Sequence, residues 1–503
     1  MNNEPSSSVE HAGKLDKEFV GGIAWTAAAK WISQLVSWPS VIIAARFLSP
    51  SDFGTVDMAG FYFTLTNVLA EFGVGTAVLQ MRELDSKAIA QMNTVSLMFG
   101  TFAFGLSLAI APLIADFFKT PVLKRLVEVT SVSFIIIGLQ AVPLGLMQRA
   151  MDYRRISLTE AIQSGTQAVV TIGCALAGMG YWTLIAGNLA GRAASLVMTR
   201  YWMPSSFAWP RGKAILSPIR FGMEIAFQRL IWMLYLQSDA IVVGRMLGQS
   251  ALGMYRLAIS LASAPADKIG MLVMRVTGPL FAKLQDDRTL MRRYYLVLTE
   301  VLALALLPLV SGLVVVAPDA VRVLLGPGWD GAVAPLQWLA IFTVIRTLNS
   351  LGGQALTALR FQRFGSWMGV VNVTVMPIAF YIGSFRGAAV VAAMWVVMSP
   401  ITTLPALLKV LKSVECSKMK YLAALGPAST ASAAMVGALM LLKTYLTGWS
   451  PVARLAVEIP LGGAIYGGVL LTFFRKRILQ FVRFVLELRK SPTAEPGLEN
   501  VIS

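Results

Sequence analysis

Charged side chains inside long apolar stretches are the residues of this chain that could carry chemistry. A charge in such a stretch costs about 2.5–3.5 kcal/mol on insertion scales and therefore needs a partner, a ligand or water. Ammonium and guanidinium groups bind phosphate oxygens, and an isolated carboxylate can bind a proton or a cation. The cations are Lys30, Arg192, Arg229, Arg256, Lys268, Arg275 and Arg346. The acids include Asp57, Glu71, Glu160, Glu224, Asp239 and Asp267.

Covalent chemistry has little support in the same sequence. His11 is the only histidine and lies in a polar N-terminal tail, which argues against a histidine metal site or a catalytic triad. The sequence G-x-x-x-x-G-K-[ST], which cradles nucleotide phosphates, is absent. Two cysteines, Cys174 and Cys416, make no disulfide framework. We therefore expect no enzymatic activity, no cofactor and no metal.

The apolar stretches predict an all-α polytopic membrane protein. Only 14% of the 503 residues are charged and mean hydropathy is +0.67, whereas soluble proteins carry roughly 25% charged residues. Runs near 20 apolar residues recur along the whole chain. The fourteen predicted spans are 20–45, 55–79, 88–115, 126–148, 157–179, 181–201, 219–244, 251–278, 294–317, 335–358, 365–385, 387–411, 421–443 and 452–474.

The distribution of positive charge predicts the orientation. The termini and the connections on their side hold 27 of the 43 Lys and Arg residues, and the opposite connections hold 9. Because such an excess marks the cytoplasmic side, both termini are expected in the cytoplasm of a multi-pass inner-membrane protein. Most of the net charge of +17 then comes from Lys and Arg residues at the cytoplasmic surface of the membrane, so no nucleic-acid partner is expected. The basic segment 475–490 is predicted to lie on membrane lipids as an amphipathic helix.

A repeated motif organises the spans. Residues 45–54 read ARFLSPSDFG, and residues 244–253 read GRMLGQSALG. Aligned at this offset of 199, segments 41–59 and 240–258 share six identities in nineteen positions. Six spans separate the copies, which predicts a parallel repeat of two lobes. The predicted organisation is an N-terminal tail (1–19), an N-lobe (20–205), a linker (206–218), a C-lobe (219–411), two further helices (421–474) and a basic tail (475–503).

The same offset relates Lys30 to Arg229, and we interpret this pair as an anion site facing one cavity. On the first span, Lys30, Ser33, Gln34 and Ser37 share a face. The candidate substrate-binding residues are Lys30, Gln34, Arg229, Arg256, Lys268 and Arg275. The candidate ion-coupling residues are Asp57, Glu71 and Asp239.

A structural role is the competing interpretation of each charge. In this interpretation, the three cations of the eighth span, Arg256, Lys268 and Arg275, serve only to neutralise acids. These acids include Asp57, Asp239 and Asp267. Polar stripes on the fifth and tenth spans are interpreted as helix–helix hydrogen bonding. They consist of Glu160, Gln163, Ser164 and Gln167, and of Arg346, Asn349, Ser350 and Gln354.

Three features together resemble the polysaccharide transporter family, which includes Wzx-type O-antigen and exopolysaccharide flippases. They are the 6+6+2 span pattern, the ARFLSPSDFG motif and the following FGVGTAVLQ at 72–80. The resemblance is strongest to the colanic-acid-exporter-like branch of the multidrug/oligosaccharidyl-lipid/polysaccharide exporter superfamily. It implies a V-shaped transporter that moves undecaprenyl-diphosphate-linked oligosaccharides outward by alternating access through a cationic cavity. A proton or sodium ion and a polysaccharide polymerase are further partners that it suggests.

Three other functions remain compatible with the sequence. The same superfamily contains lipid II flippases and drug/cation antiporters, and the cavity charges are mixed in sign. A membrane enzyme of glycan assembly is the alternative from a different class. Such enzymes usually carry an outer domain or a long loop, whereas the longest outer connection, 317–334, has fewer than twenty residues.

Overall fold

A computed structural model describes residues 39–71, 78, 85–210 and 233–475, without the side chains of residue 65 and residues 67–71. Lys30, Gln34, Glu224 and Arg229 lie outside the described residues. The amphipathic tail predicted at 475–490 also lies outside them beyond Arg475. The roles of these residues therefore remain predictions.

The described residues form helices and contain no strand, which confirms the predicted all-α class. Nine helical segments among the described residues, some made of two or three consecutive helices, are long and apolar enough to cross a membrane. The helices are α1 (39–47), α2 (Pro50–Glu71), α3 (Ser86–Phe117), α4 (Val122–Thr130), α5 (Val132–Arg149), α6 (Tyr153–Leu176), α7 (Trp182–Trp202), α8 (Ser238–Lys283), α9 (Arg288–Leu324), α10 (Val333–Ala358), α11 (Gln362–Ser384), α12 (Ala388–Val397), α13 (Ser399–Thr402), α14 (Leu404–Ser413), α15 (Lys418–Tyr445) and α16 (Pro451–Phe473).

Helix boundaries follow the apolar stretches and differ from them where polar residues or prolines intervene. Helix α9 extends beyond the predicted span 294–317 at both ends, because polar turns continue the helix past its apolar centre. The predicted span 387–411 is divided among α12, α13 and α14. Pro400 and Pro405 lie in the first turns of α13 and α14, where a proline needs no hydrogen-bond donor. The count of fourteen spans stays a prediction.

The chain divides into two compact units, Met1–Met254 and Tyr255–Ser503. In the first unit, α6 packs along α7 through two glycines of α7. A Cβ atom on Gly187 would overlap the Thr171 hydroxyl, and one on Gly191 would lie 2.8 Å from the Gln163 carbonyl oxygen. Such small residues let two helices approach closely in a membrane. The backbone of Gln163 therefore lies at this helix contact, whereas hydrogen bonding by the polar side chains of the fifth span stays a prediction.

In the second unit, α9 packs against α10, α15 and α16. Asp319, near the end of α9, is buried and lies between two cations. Its carboxylate oxygens are 3.0 Å from an Arg454 guanidinium nitrogen and 3.6 Å from the Lys443 ammonium nitrogen. Lys443 also donates to the Val315 carbonyl oxygen. Three helices are thus joined by one buried ionic network.

A second acid belongs to the same network. Glu458 is fully buried one turn after Arg454 on α16, and the charges of Lys443, Asp319 and Arg454 act on it. Neither of its carboxyl oxygens has a hydrogen-bond partner in the part of the chain described. The network therefore contains two acids and two bases, with Asp319 making the direct contacts.

Candidate functional site

The first copy of the motif ends α1 and begins α2 with a capping box. The Ser49 hydroxyl accepts a hydrogen bond from the Asp52 amide at 3.2 Å, and Asp52 Oδ2 accepts one from the Ser49 amide at 2.9 Å. Pro50 occupies the first helical position, where its fixed φ suits a helix. This Ser-Pro-Ser-Asp sequence therefore supplies the N-cap of α2.

The second copy makes the equivalent break inside α8. Gly248 has φ 85° and ψ −175°, which interrupts otherwise continuous helical backbone. This left-handed φ favours glycine, because other residues are strained there. Ser49 in one copy and Gly248 in the other stand at aligned positions, so different residue types make the same junction.

The two copies cross each other within the first unit, glycine against glycine. A Cβ atom on Gly54 would lie 1.7 Å from the Gln249 carbonyl oxygen. A Cβ atom on Gly253 would lie 1.9 Å from the Pro50 carbonyl oxygen. These neighbours are backbone atoms, which cannot rotate away. The identical glycines of the repeat therefore allow this crossing, which no side-chain-bearing residue would permit.

Gln249 links the crossing through its side chain. Its amide oxygen accepts hydrogen bonds from the hydroxyls of Ser51 at 2.7 Å and Thr55 at 3.1 Å. Its amide nitrogen donates to the Thr120 hydroxyl at 3.1 Å. Nearby, the Arg245 guanidinium lies 5.6 Å from the centroid of the Phe117 ring, in cation–π geometry. Sequence reasoning missed Gln249 and Thr120. The shared Ser and Gly positions of the repeat adjoin Gln249, whereas no motif of the sequence includes Thr120.

In the second unit, α8 and α10 present charges to the surroundings. Asp267 on α8 forms an ion pair with Arg346 on α10, and their side chains are 54% and 43% exposed. Further along, the Ser350 hydroxyl lies 3.7 Å from the Met274 sulfur. Since exposed ions at membrane depth belong in water rather than lipid, this face is suited to an aqueous cavity.

The predicted site residues of α8 have different environments. Arg256 and Lys268 are half-buried, whereas Arg275 is exposed and has no ion pair within the described part of the chain. Asp239 is buried, and its carboxylate accepts a hydrogen bond from the Ala240 amide at 2.7 Å. Asp57 is half-buried on α2, and Glu71 ends that helix. Asp267 makes its ion pair with α10 and not with a cation of its own helix.

Comparisons with known proteins agree with this fold. The chain is 25% identical to the lipopolysaccharide biosynthesis protein WzxC of Escherichia coli K12, covering 68% of this chain and 70% of the relative. It is 27% identical to the succinoglycan biosynthesis transport protein ExoT of Rhizobium meliloti, over 77% and 79%. The fold resembles that of the lipid II flippase MurJ in an inward closed conformation. The TM-score is 0.69 at 16% identity, covering 90% of this chain and 99% of that structure.

The family follows from a match to a protein-family model. A family model described as polysaccharide biosynthesis protein matches residues 43–334, which is more than half of the chain. The matched region contains both copies of the repeated motif and all of α8. The chain is an integral membrane protein that belongs to the polysaccharide biosynthesis protein family.

Proposed function

We propose that this protein flips polyprenyl-diphosphate-linked oligosaccharides from the cytoplasmic to the periplasmic leaflet of the inner membrane, for synthesis of a surface or extracellular polysaccharide. The observation that carries the proposal is the excess of positive charge on α8. Helix α8 carries five cations, Arg245, Arg256, Lys268, Arg275 and Lys283, against two acids, Asp239 and Asp267. Of these acids, Asp267 is engaged by Arg346 of α10. A diphosphate is the complementary ligand for such a surface.

The alternatives fit these charges less well. A cavity for a cationic drug would expose carboxylates, whereas the exposed acid of α8 already has a cationic partner. Relatives named for lipopolysaccharide biosynthesis and succinoglycan transport support a glycan lipid as the cargo. An enzyme of glycan assembly would need an acceptor site, and His11 remains the only histidine available as a general base.

Deletion of the gene tests the function directly. We expect the strain to lose the polysaccharide from its surface while its lipid-linked oligosaccharide accumulates on the cytoplasmic leaflet. Increased drug susceptibility with normal polysaccharide would indicate an antiporter. Extension or transfer of the lipid-linked glycan in a cell-free assay only when the purified protein is present would indicate an enzyme.

Lys30 and Arg229 are the proposed ligands of the diphosphate. A charge-assisted hydrogen bond contributes about 1.5–3 kcal/mol, so losing one should slow export roughly ten- to a hundredfold. Lys30→Ala and Arg229→Ala should therefore reduce polysaccharide export in the deletion strain at normal membrane levels of the protein. Lys30→Arg and Arg229→Lys serve as matched controls and should retain most export, because they preserve the charge.

A purely structural role for the two cations predicts a different pattern. Both alanine variants would then be present at low level, and neutralising a nearby acid, Glu224 or Asp57, would restore them. Full export by both alanine variants would contradict the substrate-site assignment.

Asp57 and Glu71 are proposed as sites for the coupling ion, with a proton and Na⁺ as the candidates. They are about 21 Å apart along one face of a helix. Asp57→Asn or Glu71→Gln should change the dependence of export on external pH or Na⁺, measured in cells with matched protein levels. Unchanged dependence in both variants would leave an ion-pair role for these acids.

Labelling of single cysteines tests the proposed orientation, with both termini in the cytoplasm. Cysteines introduced at Lys14 and at Lys490 should be protected from an impermeant maleimide in intact cells, and one at Pro50 should react. Labelling of both terminal positions from outside would reverse the orientation.

The native Cys416 should add little background to this measurement. Burial raises the pKa of its thiol, although Arg292 and Lys420 act in the opposite direction. A raised pKa keeps the thiol protonated at neutral pH, and the thiolate is the reactive form. Cys174 is half-buried and is best replaced by alanine.

A further inference from the structure

A cleft of about 490 Å³ opens in the second unit where the ends of five helices meet. It is bounded by the turn between α8 and α9, by the turn between α10 and α11, and by the end of α14. Four basic side chains and one acidic side chain line it, namely Arg288, Arg360, Lys409, Lys412 and Asp286. The cleft is therefore strongly cationic.

Not all of these cations are neutralised by the protein. Arg288 is paired with Glu415 at 3.0 Å. Arg360 and Lys412 are exposed and have no ion pair within the described part of the chain. Arg360 also adopts a left-handed φ of 63° at the C-terminal end of α10, where glycine would be least strained. A cation is thus kept at a position that backbone geometry alone would give to glycine.

One wall of the cleft is apolar. The Lys409 ammonium lies 4.4 Å from the centroid of the Phe361 ring, so the lysine covers an aromatic face. Ala358 and Leu359 continue this wall at the end of α10. An apolar wall beside two cations that have no ion pair within the described part of the chain suits a ligand that carries both phosphate and hydrocarbon.

We propose that this cleft binds the phosphate headgroup of an anionic phospholipid. The helix ends around it belong to the side with the Lys and Arg excess, which the sequence predicts to be cytoplasmic. Basic pockets between helix ends at that interface bind the headgroups of lipids such as cardiolipin. The volume also exceeds the roughly 30 Å³ share of one water many times, so it accommodates a headgroup.

Lipid titration of the purified full-length protein in detergent tests the proposal. The probes are cardiolipin and phosphatidylcholine, read out by native mass spectrometry and by the shift of the thermal unfolding midpoint. The test variant is Arg360→Gln with Lys412→Gln. The matched control is Lys418→Gln with Lys420→Gln, which removes the same charge from exposed positions at the start of α15 outside the cleft. The readout is independent of transport.

We expect cardiolipin to bind and phosphatidylcholine not to compete. The test variant should lose cardiolipin affinity by roughly ten- to thirtyfold, because each removed cation contributes about tenfold or less. The control variant should lose less than about twofold. Equal loss in both variants would mean unspecific attraction and would contradict the site. Displacement of cardiolipin by equimolar inorganic pyrophosphate would identify a soluble phosphate ligand instead and would overturn the proposal. If the test variant melts at a lower temperature without lipid, Lys409→Gln alone provides the same comparison.

Discussion

Replacement of Gly54 by alanine is expected to reduce polysaccharide export roughly a hundredfold in a deletion strain that expresses the variant. The added Cβ atom would stand 1.7 Å from the Gln249 carbonyl oxygen, 2.6 Å from the Gln249 carbonyl carbon and 2.9 Å from the Gly253 amide nitrogen. Overpacking typically costs about 1–3 kcal/mol, and a clash with backbone belongs at the upper end of that range. The crossing of the two motif copies could then no longer form.

Gly60→Ala is the matched control for this experiment. Gly60 lies on the same helix α2, and a Cβ atom there meets nothing within 4 Å. Alanine is the better helix former by roughly 1 kcal/mol, so this control should export normally. Gly253→Ala should behave like Gly54→Ala, because its Cβ atom would stand 1.9 Å from the Pro50 carbonyl oxygen. Normal export by Gly54→Ala would show that transport does not require the crossing.

Membrane levels distinguish two explanations for a loss of export. If α2 and α8 must separate and meet again during transport, the Gly54→Ala protein should be stable but inactive. If the crossing is a permanent structural contact, the variant should be present at low level. The hydrogen bonds of Gln249 are compatible with reversible contact, because a net hydrogen bond contributes only about 0.5–1.5 kcal/mol.

The sequence revealed the repeated motif but not the contact between its two copies. The shared Gly54 and Gly253 indicated that both copies make the same turn, since turn chemistry is local. That the two turns pack on each other depends on the tertiary arrangement, which an internal alignment does not contain. The sequence did not identify Gln249 as a contact residue, because a single polar residue in a turn is common.

The buried ionic network was missed for a different reason. Asp319 lies just beyond the predicted span 294–317, and Lys443 and Arg454 lie at the outer ends of the predicted spans 421–443 and 452–474. All three were therefore counted with the outer connections. Helices α9 and α15 continue through these residues, and packing with α16 buries them. Hydropathy detects an apolar segment and not the length of the helix that contains it, so charges in the terminal turns were interpreted as loop charges.

Asp319→Ala is therefore expected to destabilise the protein by about 3 kcal/mol. Removing one partner of a buried ion pair costs about 3–5 kcal/mol, because the remaining charge is left uncompensated. Here the Arg454 and Lys443 side chains are still 23% and 26% exposed, which places the effect at the lower end. The measurement is the thermal unfolding midpoint of the purified protein in a fixed detergent.

The control is an exposed ion pair of the same length involving the same helix. Asp330 lies 3.0 Å from Arg322 of α9, and their side chains are 61% and 57% exposed. Asp330→Ala should cost less than about 1 kcal/mol, since exposed pairs contribute little. Equal destabilisation by the two substitutions would mean that burial of Asp319 is not what makes its contacts important.

Glu458 shows whether the four charges act as one unit. Alone, Glu458→Gln should change stability little, because neither carboxyl oxygen has a hydrogen-bond partner among the described residues. Once Asp319 is replaced by alanine, Glu458 is the remaining acid beside Lys443 and Arg454. Glu458→Gln should then lower the stability of the Asp319→Ala protein by about 0.5–3 kcal/mol more than it lowers the stability of the wild type. This difference is the coupling energy typical of residues in one network. Strict additivity of the two substitutions would show that Glu458 does not share the cations with Asp319.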